Sequence, residues 1–203
     1  MGEPLTLVDI VTVVVLLIDF VVSIWNSYAA GFTFGLQKIS KGPGWIKAIA
    51  ALALAMGLVG ETYVLTAVLA LVANAYGLVG VGSVDLLLAY NFLITGGLIV
   101  ILGIGVAAES IYVAIRRPGI WTVGVTVYNV FASIWNVFTY IENFGTAMNI
   151  IKTEERQGRG QGAVVALAIT AVVIAVLLSY IAFHFGRAHA SGEFRGRVRD
   201  EDL

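Results

Sequence analysis

Hydrophobic residues along the chain are gathered into five long runs that are separated by short polar connections. About 20 apolar residues in a helix cross the hydrocarbon core of a bilayer, so each run is long enough for one crossing. The pattern therefore predicts an all-α integral membrane protein with a five-helix transmembrane bundle. We call the predicted helices spans 1 to 5, and they cover residues 5–37, 45–76, 84–115, 121–151 and 163–185.

The placement of the prolines supports five unbroken spans. Pro4, Pro43 and Pro118 all fall at or before a predicted helix start, where proline is tolerated. A helix of about 32 residues reaches nearly 50 Å, so the longer spans should tilt or project beyond the lipid. Residues 1–190 are expected to form one transmembrane domain, followed by a short polar cytoplasmic tail over residues 191–203.

Polar residues recur at three- and four-residue steps along spans 1 and 4, and we call these two series the polar stripes. Steps of this size keep the side chains on one face of a helix. The stripe of span 1 contains Asp9, Thr12, Asp19, Ser23, Asn26, Thr33 and Gln37, with the apolar Leu16 and Ala30 at the two intervening steps. The stripe of span 4 contains Thr122, Thr126, Asn129, Ser133, Asn136, Tyr140 and Asn143.

The two stripes share a motif. The spacing of polar residue, Ser, Ile, Trp and Asn in residues 19–26 recurs in residues 129–136, at an offset of 110 positions, with Asn129 in place of Asp19. Three crossings separate the two spans, so they should run in opposite directions. Antiparallel copies of one template are typical of inverted-topology repeats, which often hold a transporter's binding site at the midplane.

The motif predicts that spans 1 and 4 pack as an antiparallel pair. We expect Ser23 to lie near Ser133, and Asp19 to lie within reach of Asn129 or Asn136. A chance local similarity is the alternative, because spans 2 and 5 show little likeness and five spans do not make two complete three-helix units.

Carboxylates are the only charged groups near the middle of the spans. Asp19 and Glu61 lie near the centres of spans 1 and 2, Glu142 lies toward the outer end of span 4, and Glu109 lies toward the cytoplasmic end of span 3. A charge at this depth costs about 2.5–3.5 kcal/mol, so these groups should be protonated, hydrated, hydrogen-bonded or bound to a cation. The simplest interpretation of Glu109 and Glu142 is a long side chain that reaches the interface.

Composition supports the membrane assignment and excludes several functions. The chain is 59% hydrophobic, only 12% charged and carries a net charge of −1, whereas soluble domains are about 25% charged. The nearly balanced charge does not favour direct nucleic-acid binding. No cysteine is present, which excludes disulfides and thiolate metal sites.

Basic residues predict the orientation in the cell membrane. Nine of the 12 lie in the first and third connections and the tail, and three lie in the fourth connection. Because basic residues are concentrated on the cytoplasmic side, the N-terminus is expected outside and the C-terminus in the cytoplasm.

Small residues indicate where helices approach closely. Gly31 and Gly35 form a GxxxG motif, a spacing that favours helix association in membranes. Gly103 and Gly105 lie inside span 3 with no strand before them, so they are interpreted as a packing surface rather than a nucleotide-binding loop.

The sequence predicts a transport protein or ion channel for a cation or proton. We expect no enzymatic activity and no cofactor, because no nucleophile lies beside a base and the two histidines, His184 and His189, lie at or beyond the end of span 5. The candidate pathway residues are Asp19, Glu61, Ser23, Asn26, Asn129, Ser133, Asn136 and Glu142, with Glu109 and Asn91 as secondary candidates.

The alternative is a structural subunit of a larger membrane assembly, of a secretion or DNA-translocation type. In that case the stripes are interhelical hydrogen-bonding surfaces, each contact contributing about 0.6 kcal/mol. Partners would be membrane lipid and either further copies of the chain or other membrane subunits. The two hypotheses differ in whether the stripes face a cavity within one chain or face a second chain.

Overall fold

The computed structural model describes residues 7–40, 43–156 and 161–192, and side chains are described for residues 13–39, 43–155 and 162–192. These residues are helical apart from short connections. The helices are α1 (Leu7–Ser40), α2 (Gly44–Ala75), α3 (Val81–Asn91), a π-helical segment (Phe92–Gly96), α4 (Gly97–Arg116), α5 (Ile120–Arg156) and α6 (Gln161–Ser191).

The all-helical prediction is confirmed, and within the described residues five helices are long and apolar enough to cross a membrane. Spans 1, 2, 4 and 5 are α1, α2, α5 and α6, and span 3 is the continuous run of α3, the π-helical segment and α4. Helix α5 continues to Arg156 and α6 to Ser191, beyond the predicted ends at Ile151 and Phe185. Hydropathy marks only the apolar part of a helix, so polar turns that continue it are not detected.

Some of the predicted features lie outside the described residues. These are most of the cytoplasmic tail (193–203), part of the fourth connection (157–160) and Lys41. The side chains of Asp9 and Thr12, the first members of the α1 stripe, also lie outside the described part.

The third span contains the π-helical segment in its middle. The sequence pattern did not predict this segment. The Thr95 hydroxyl donates a hydrogen bond to the Asn91 backbone carbonyl at 2.5 Å and another to its side-chain oxygen at 2.7 Å. The Tyr140 hydroxyl of α5 donates to the Leu93 carbonyl at 3.0 Å. Short π-helical turns inside α-helices are frequent at functional sites.

Helix α1 packs very closely against α6 through glycines. A Cβ atom at Gly31 would lie 1.9 Å from the Phe183 carbonyl oxygen, and one at Gly35 would lie 2.9 Å from the Arg187 carbonyl oxygen. The contacts advance in the same direction on both helices, so α1 and α6 run parallel. The prediction that the GxxxG motif marks a packing surface is confirmed.

Helix α2 also packs closely through glycines, against another face of α1. Cβ atoms at Gly57 and Gly60 would lie 2.2 Å from the hydroxyl oxygens of Ser27 and Ser23, respectively. The order of the contacts is reversed, so α1 and α2 are antiparallel. Small residues thus fill the contacts around α1, whereas large apolar side chains are exposed on the outside of the bundle, as expected when the solvent is lipid.

Candidate functional site

A cavity of about 370 Å³ lies between α1, α2, the third span and α5, and we call it the central cavity. The middle part of each polar stripe faces it, which places polar groups of both stripes around one space within a single chain. Its polar lining consists of Asp19, Ser23, Asn26, Tyr63, Tyr128, Asn129, Ser133, Asn136, Thr139 and Tyr140.

Asp19 is the acidic residue of the central cavity. Among the described lining residues it is the one acid, and none is Lys, Arg or His. The half-buried Asp19 carboxylate accepts a hydrogen bond from the Tyr128 hydroxyl of α5. A cation inside the cavity would therefore meet a carboxylate without a basic competitor.

The partner of Asp19 differs from the one expected. The predicted contacts with Asn129 or Asn136 are replaced by the hydrogen bond from Tyr128. Asn129 instead bonds to Asn26 of α1, at 2.9 Å. Tyr128 is absent from the three- and four-residue steps of the α5 stripe, so periodicity could not indicate it.

Asn26 and Asn129 join three helices at the cavity wall. The Asn129 side-chain amide donates to the Asn26 side-chain oxygen of α1 at 2.9 Å and to the Ser110 hydroxyl of α4 at 2.5 Å. All three side chains are buried. The Thr126 hydroxyl also donates to the Ser110 carbonyl, at 2.9 Å. Part of the α5 stripe therefore forms interhelical hydrogen bonds within the chain.

Ser23 and Ser133, which were expected to lie near each other, both line the central cavity but bond to other groups. The Ser23 hydroxyl donates to the Asp19 carbonyl at 2.7 Å, and the Ser133 hydroxyl donates to carbonyls of Gly103 and Asn129 at 3.1 and 2.7 Å. Glycines let α1 approach α2 and α6, whereas α1 and α5 are not closely packed. The inverted repeat remains a prediction.

Glu61 lies in a separate polar cluster outside the lining of the central cavity. Its carboxyl group is fully buried between α1, α2 and α6. One carboxyl oxygen accepts hydrogen bonds from Ser27 at 3.4 Å and from Ser179 at 3.1 Å, and the two serine hydroxyls are 3.0 Å apart. Sequence reasoning found the buried acid but not Ser179, because α6 carries no polar stripe.

Glu109 lies inside the bundle, so the expectation that its side chain reaches the interface is wrong. It is 1% exposed, and the Thr33 hydroxyl of α1 donates to one of its carboxyl oxygens. Its other oxygen, and both side-chain polar atoms of the buried Gln37 one turn beyond Thr33, have no hydrogen-bond partner among the described residues.

The remaining two candidates are also outside the lining of the central cavity. Glu142 is exposed on α5, in agreement with its simpler interpretation. Asn91 is buried, and its side-chain amide donates to the Tyr63 carbonyl of α2 at 2.9 Å. Asn91 thus connects α2 to the start of the π-helical segment.

Aromatic residues form much of the cavity wall, and most of them were missed by sequence reasoning. The lining contains Tyr63, Phe92, Tyr128, Phe131, Trp135 and Tyr140. Their rings come from three different spans, so no repeat within one helix could reveal them. Within the described residues, no group of three or more His, Cys, Asp or Glu side chains could hold a metal ion.

Comparison with protein-family models, curated proteins and solved structures finds no match for this chain.

The Glu61 cluster leads to a prediction about stability. Glu61→Leu should lower the free energy of unfolding by about 1–3 kcal/mol, because two buried serine hydroxyls lose their acceptor. Glu61→Gln keeps an acceptor oxygen and should cost less than about 1 kcal/mol. Denaturant titration of the purified protein in detergent measures both values. Equal losses for the two variants would show that the hydrogen bonds to Glu61 do not stabilise the bundle.

Proposed function

We propose that the protein is a membrane transport protein or channel that moves a cation or a proton, with the central cavity as its binding site and Asp19 as the charged group. The observation that carries the proposal is that the middle parts of both polar stripes face one cavity within a single chain, with an acid and no base among the described lining residues. The proposal assigns the protein no catalytic reaction.

Electrostatics favours a positively charged substrate in the central cavity. Opposite charges attract more strongly where the surrounding dielectric constant is low, and the cavity is surrounded by apolar helices. The oxygens of Ser23, Asn26 and Asn136 add dipoles that can turn toward a positive charge. Glu61 and Glu109, each buried beside a hydroxyl group from another helix, are retained as candidates for proton transfer outside the cavity.

A role in a larger assembly is the second candidate, and one observation favours it. The C-terminal half of α5 exposes polar side chains, including Glu142, Asn143 and Asn149. Polar groups on the outside of a membrane helix can bind a second copy of the chain or another subunit. The glycine motifs do not favour an assembly, because Gly31, Gly35, Gly57 and Gly60 contact helices of the same chain.

Flux measurements in reconstituted vesicles test the proposed function. Purified protein in liposomes should dissipate an imposed gradient of a cation or of protons, under at least one membrane polarity, while an anion gradient persists. Protein-free liposomes supply the background rate. Absence of cation and proton flux under both polarities would contradict the proposal and favour the assembly role.

We also propose the orientation in which the N-terminus is outside and the C-terminus is in the cytoplasm. Cysteine labelling tests it directly, because the chain has no cysteine of its own. A cysteine at Gly80, between α2 and α3, should react with an impermeant thiol reagent added outside intact cells, and one at Ser191 should react only after permeabilisation. The reverse pattern would overturn the orientation.

A further inference from the structure

The size of the central cavity bears on which cation it takes. Hard metal ions such as Ca²⁺ are held by six to eight oxygen ligands at about 2.3–2.6 Å, a geometry that needs a narrow site with several acidic or carbonyl ligands. The cavity instead has a volume of about 370 Å³ and one acid among its described lining residues. Pockets of about 300–1,000 Å³ are typical of sites for small organic molecules.

The aromatic lining also favours an organic cation. Aromatic faces attract cations, and cages of aromatic rings are a common way to bind quaternary ammonium groups. Tyr63 and Phe92 line the cavity from α2 and the π-helical segment, and Tyr128, Trp135 and Tyr140 line it from α5. Rings together with one carboxylate match a cation that has an apolar surface of its own.

A lateral seam lies between α1 and α5. These helices are not a closely packed pair. They meet through the hydrogen bond from Tyr128 to Asp19, the hydrogen bond between Asn129 and Asn26, and an edge-on contact of the Trp25 and Trp121 rings at 5.8 Å. We call this boundary the α1–α5 seam.

An apolar groove of about 410 Å³ follows the outer side of the α1–α5 seam. Its lining residues are Val14, Leu17, Ile18, Val21, Val22, Trp121, Gly124, Val125 and Tyr128. Most of them face outward, Leu17 being 60% exposed. A groove of this composition on the outside of a membrane bundle can accommodate an alkyl or aryl group that is dissolved in the lipid.

The groove and the central cavity share two lining residues, Val22 and Tyr128. Tyr128 therefore stands between the lipid-facing groove and the polar cavity, and its hydroxyl is held by Asp19. A positive group that approaches Asp19 competes with the neutral Tyr128 hydroxyl for the carboxylate, because opposite charges attract strongly where the dielectric constant is low. Binding of a cation can thus release the Tyr128 side chain from α1.

We propose that the substrate class is an amphiphilic organic cation, with an ammonium-type head that binds beside Asp19 in the central cavity and an apolar tail that lies in the groove. The molecule enters from the lipid through the α1–α5 seam when Tyr128 leaves Asp19. This inference rests on the proposed function, since it names the cation that the same cavity takes.

Tryptophan fluorescence tests the binding mode in lipid nanodiscs. The probe is an alkyltrimethylammonium ion with a bromine at the end of a twelve-carbon chain, because bromine quenches nearby tryptophans such as Trp121 in the groove. Saturable quenching is expected, and the apparent affinity should fall about tenfold or more in Asp19→Asn because the charge partner is lost. An alkyl sulfate with the same brominated tail is the matched control and should quench only in the linear manner of lipid partitioning.

Equal saturable quenching by the sulfate probe, or an unchanged affinity in Asp19→Asn, would overturn the substrate class. Tyr128→Phe keeps the ring but removes the hydrogen bond that holds the seam, so it should bind the ammonium probe with a faster association rate. An unchanged association rate would overturn the lateral entry. Circular dichroism and gel filtration confirm that each variant is folded.

The outcomes also separate this inference from the proposed function. Flux of protons or inorganic cations that depends on Asp19, without saturable binding of the ammonium probe, would end the inference and leave the proposed function standing. Saturable binding of the probe without flux of any cation, the probe included, would end the proposed function and leave an amphiphile-binding site.

Discussion

Replacing Asp19 with asparagine is expected to abolish cation or proton flux in reconstituted vesicles while the protein still folds. Asparagine keeps the shape of the side chain and an oxygen that can accept the Tyr128 hydrogen bond, but it lacks both the negative charge and the titratable proton. The corresponding position of the other stripe is Asn129, so the shared template already accommodates an amide. The rate at which a cation or proton gradient dissipates measures the flux, and the melting temperature shows whether the variant is folded.

Asp85→Asn provides the matched control for this substitution. Asp85 is exposed on α3 and does not line the central cavity, so the same chemical change there should leave flux intact. Asp19→Leu distinguishes the assembly role, because it removes a half-buried carboxylate and leaves the Tyr128 hydroxyl without its acceptor. Full flux in Asp19→Asn, with loss of a protein complex in Asp19→Leu, would contradict the transport proposal.

A side chain at Gly31 is expected to disrupt the bundle more than any change at a polar stripe. Even the methyl group of Gly31→Ala would place a carbon 1.9 Å from the Phe183 carbonyl oxygen, which is backbone and cannot rotate away. Overpacking costs about 1–3 kcal/mol and occasionally more, and here two whole helices would have to separate. We expect a lower melting temperature and aggregation on extraction into detergent.

Gly145→Ala is the matched control for Gly31→Ala. A Cβ atom at Gly145 of α5 would meet no neighbouring atom within 4 Å. Alanine favours a helix over glycine by roughly 0.5–1 kcal/mol, so this variant should be at least as stable as the wild type. Thermal unfolding in the same detergent compares the two. Equal melting temperatures would show that close approach of α1 and α6 does not hold the bundle together.

Much of the fold could be predicted from the sequence because the membrane imposes a simple rule on it. An apolar run of about 20 residues or more favours a helix, because a helix satisfies all its backbone groups within one segment in lipid. Glycine spacing also indicated the contact face of α1. The π-helical segment was not predicted, because it depends on how Thr95 bonds to Asn91 and how Tyr140 from α5 reaches the Leu93 carbonyl.

The candidate site was predicted only in part, for a physical reason. Periodicity shows which side chains share a face of one helix, and the middle parts of both polar stripes do face one cavity. It does not show which helix lies opposite. Glu61 contacts Ser179 of α6, and Glu109 contacts Thr33 of α1, and both contacts depend on the arrangement of helices that are distant in sequence.

Thiol accessibility of the central cavity tests the central claim most directly. Asn136 is half-buried and lines the cavity, so a cysteine introduced there would be the sole thiol of the chain. A positively charged methanethiosulfonate should modify it faster than a negatively charged reagent of similar size, and Asp19→Asn should remove the difference. Failure of both reagents to react, or equal rates with Asp19 present, would contradict a hydrated cavity that selects for cations.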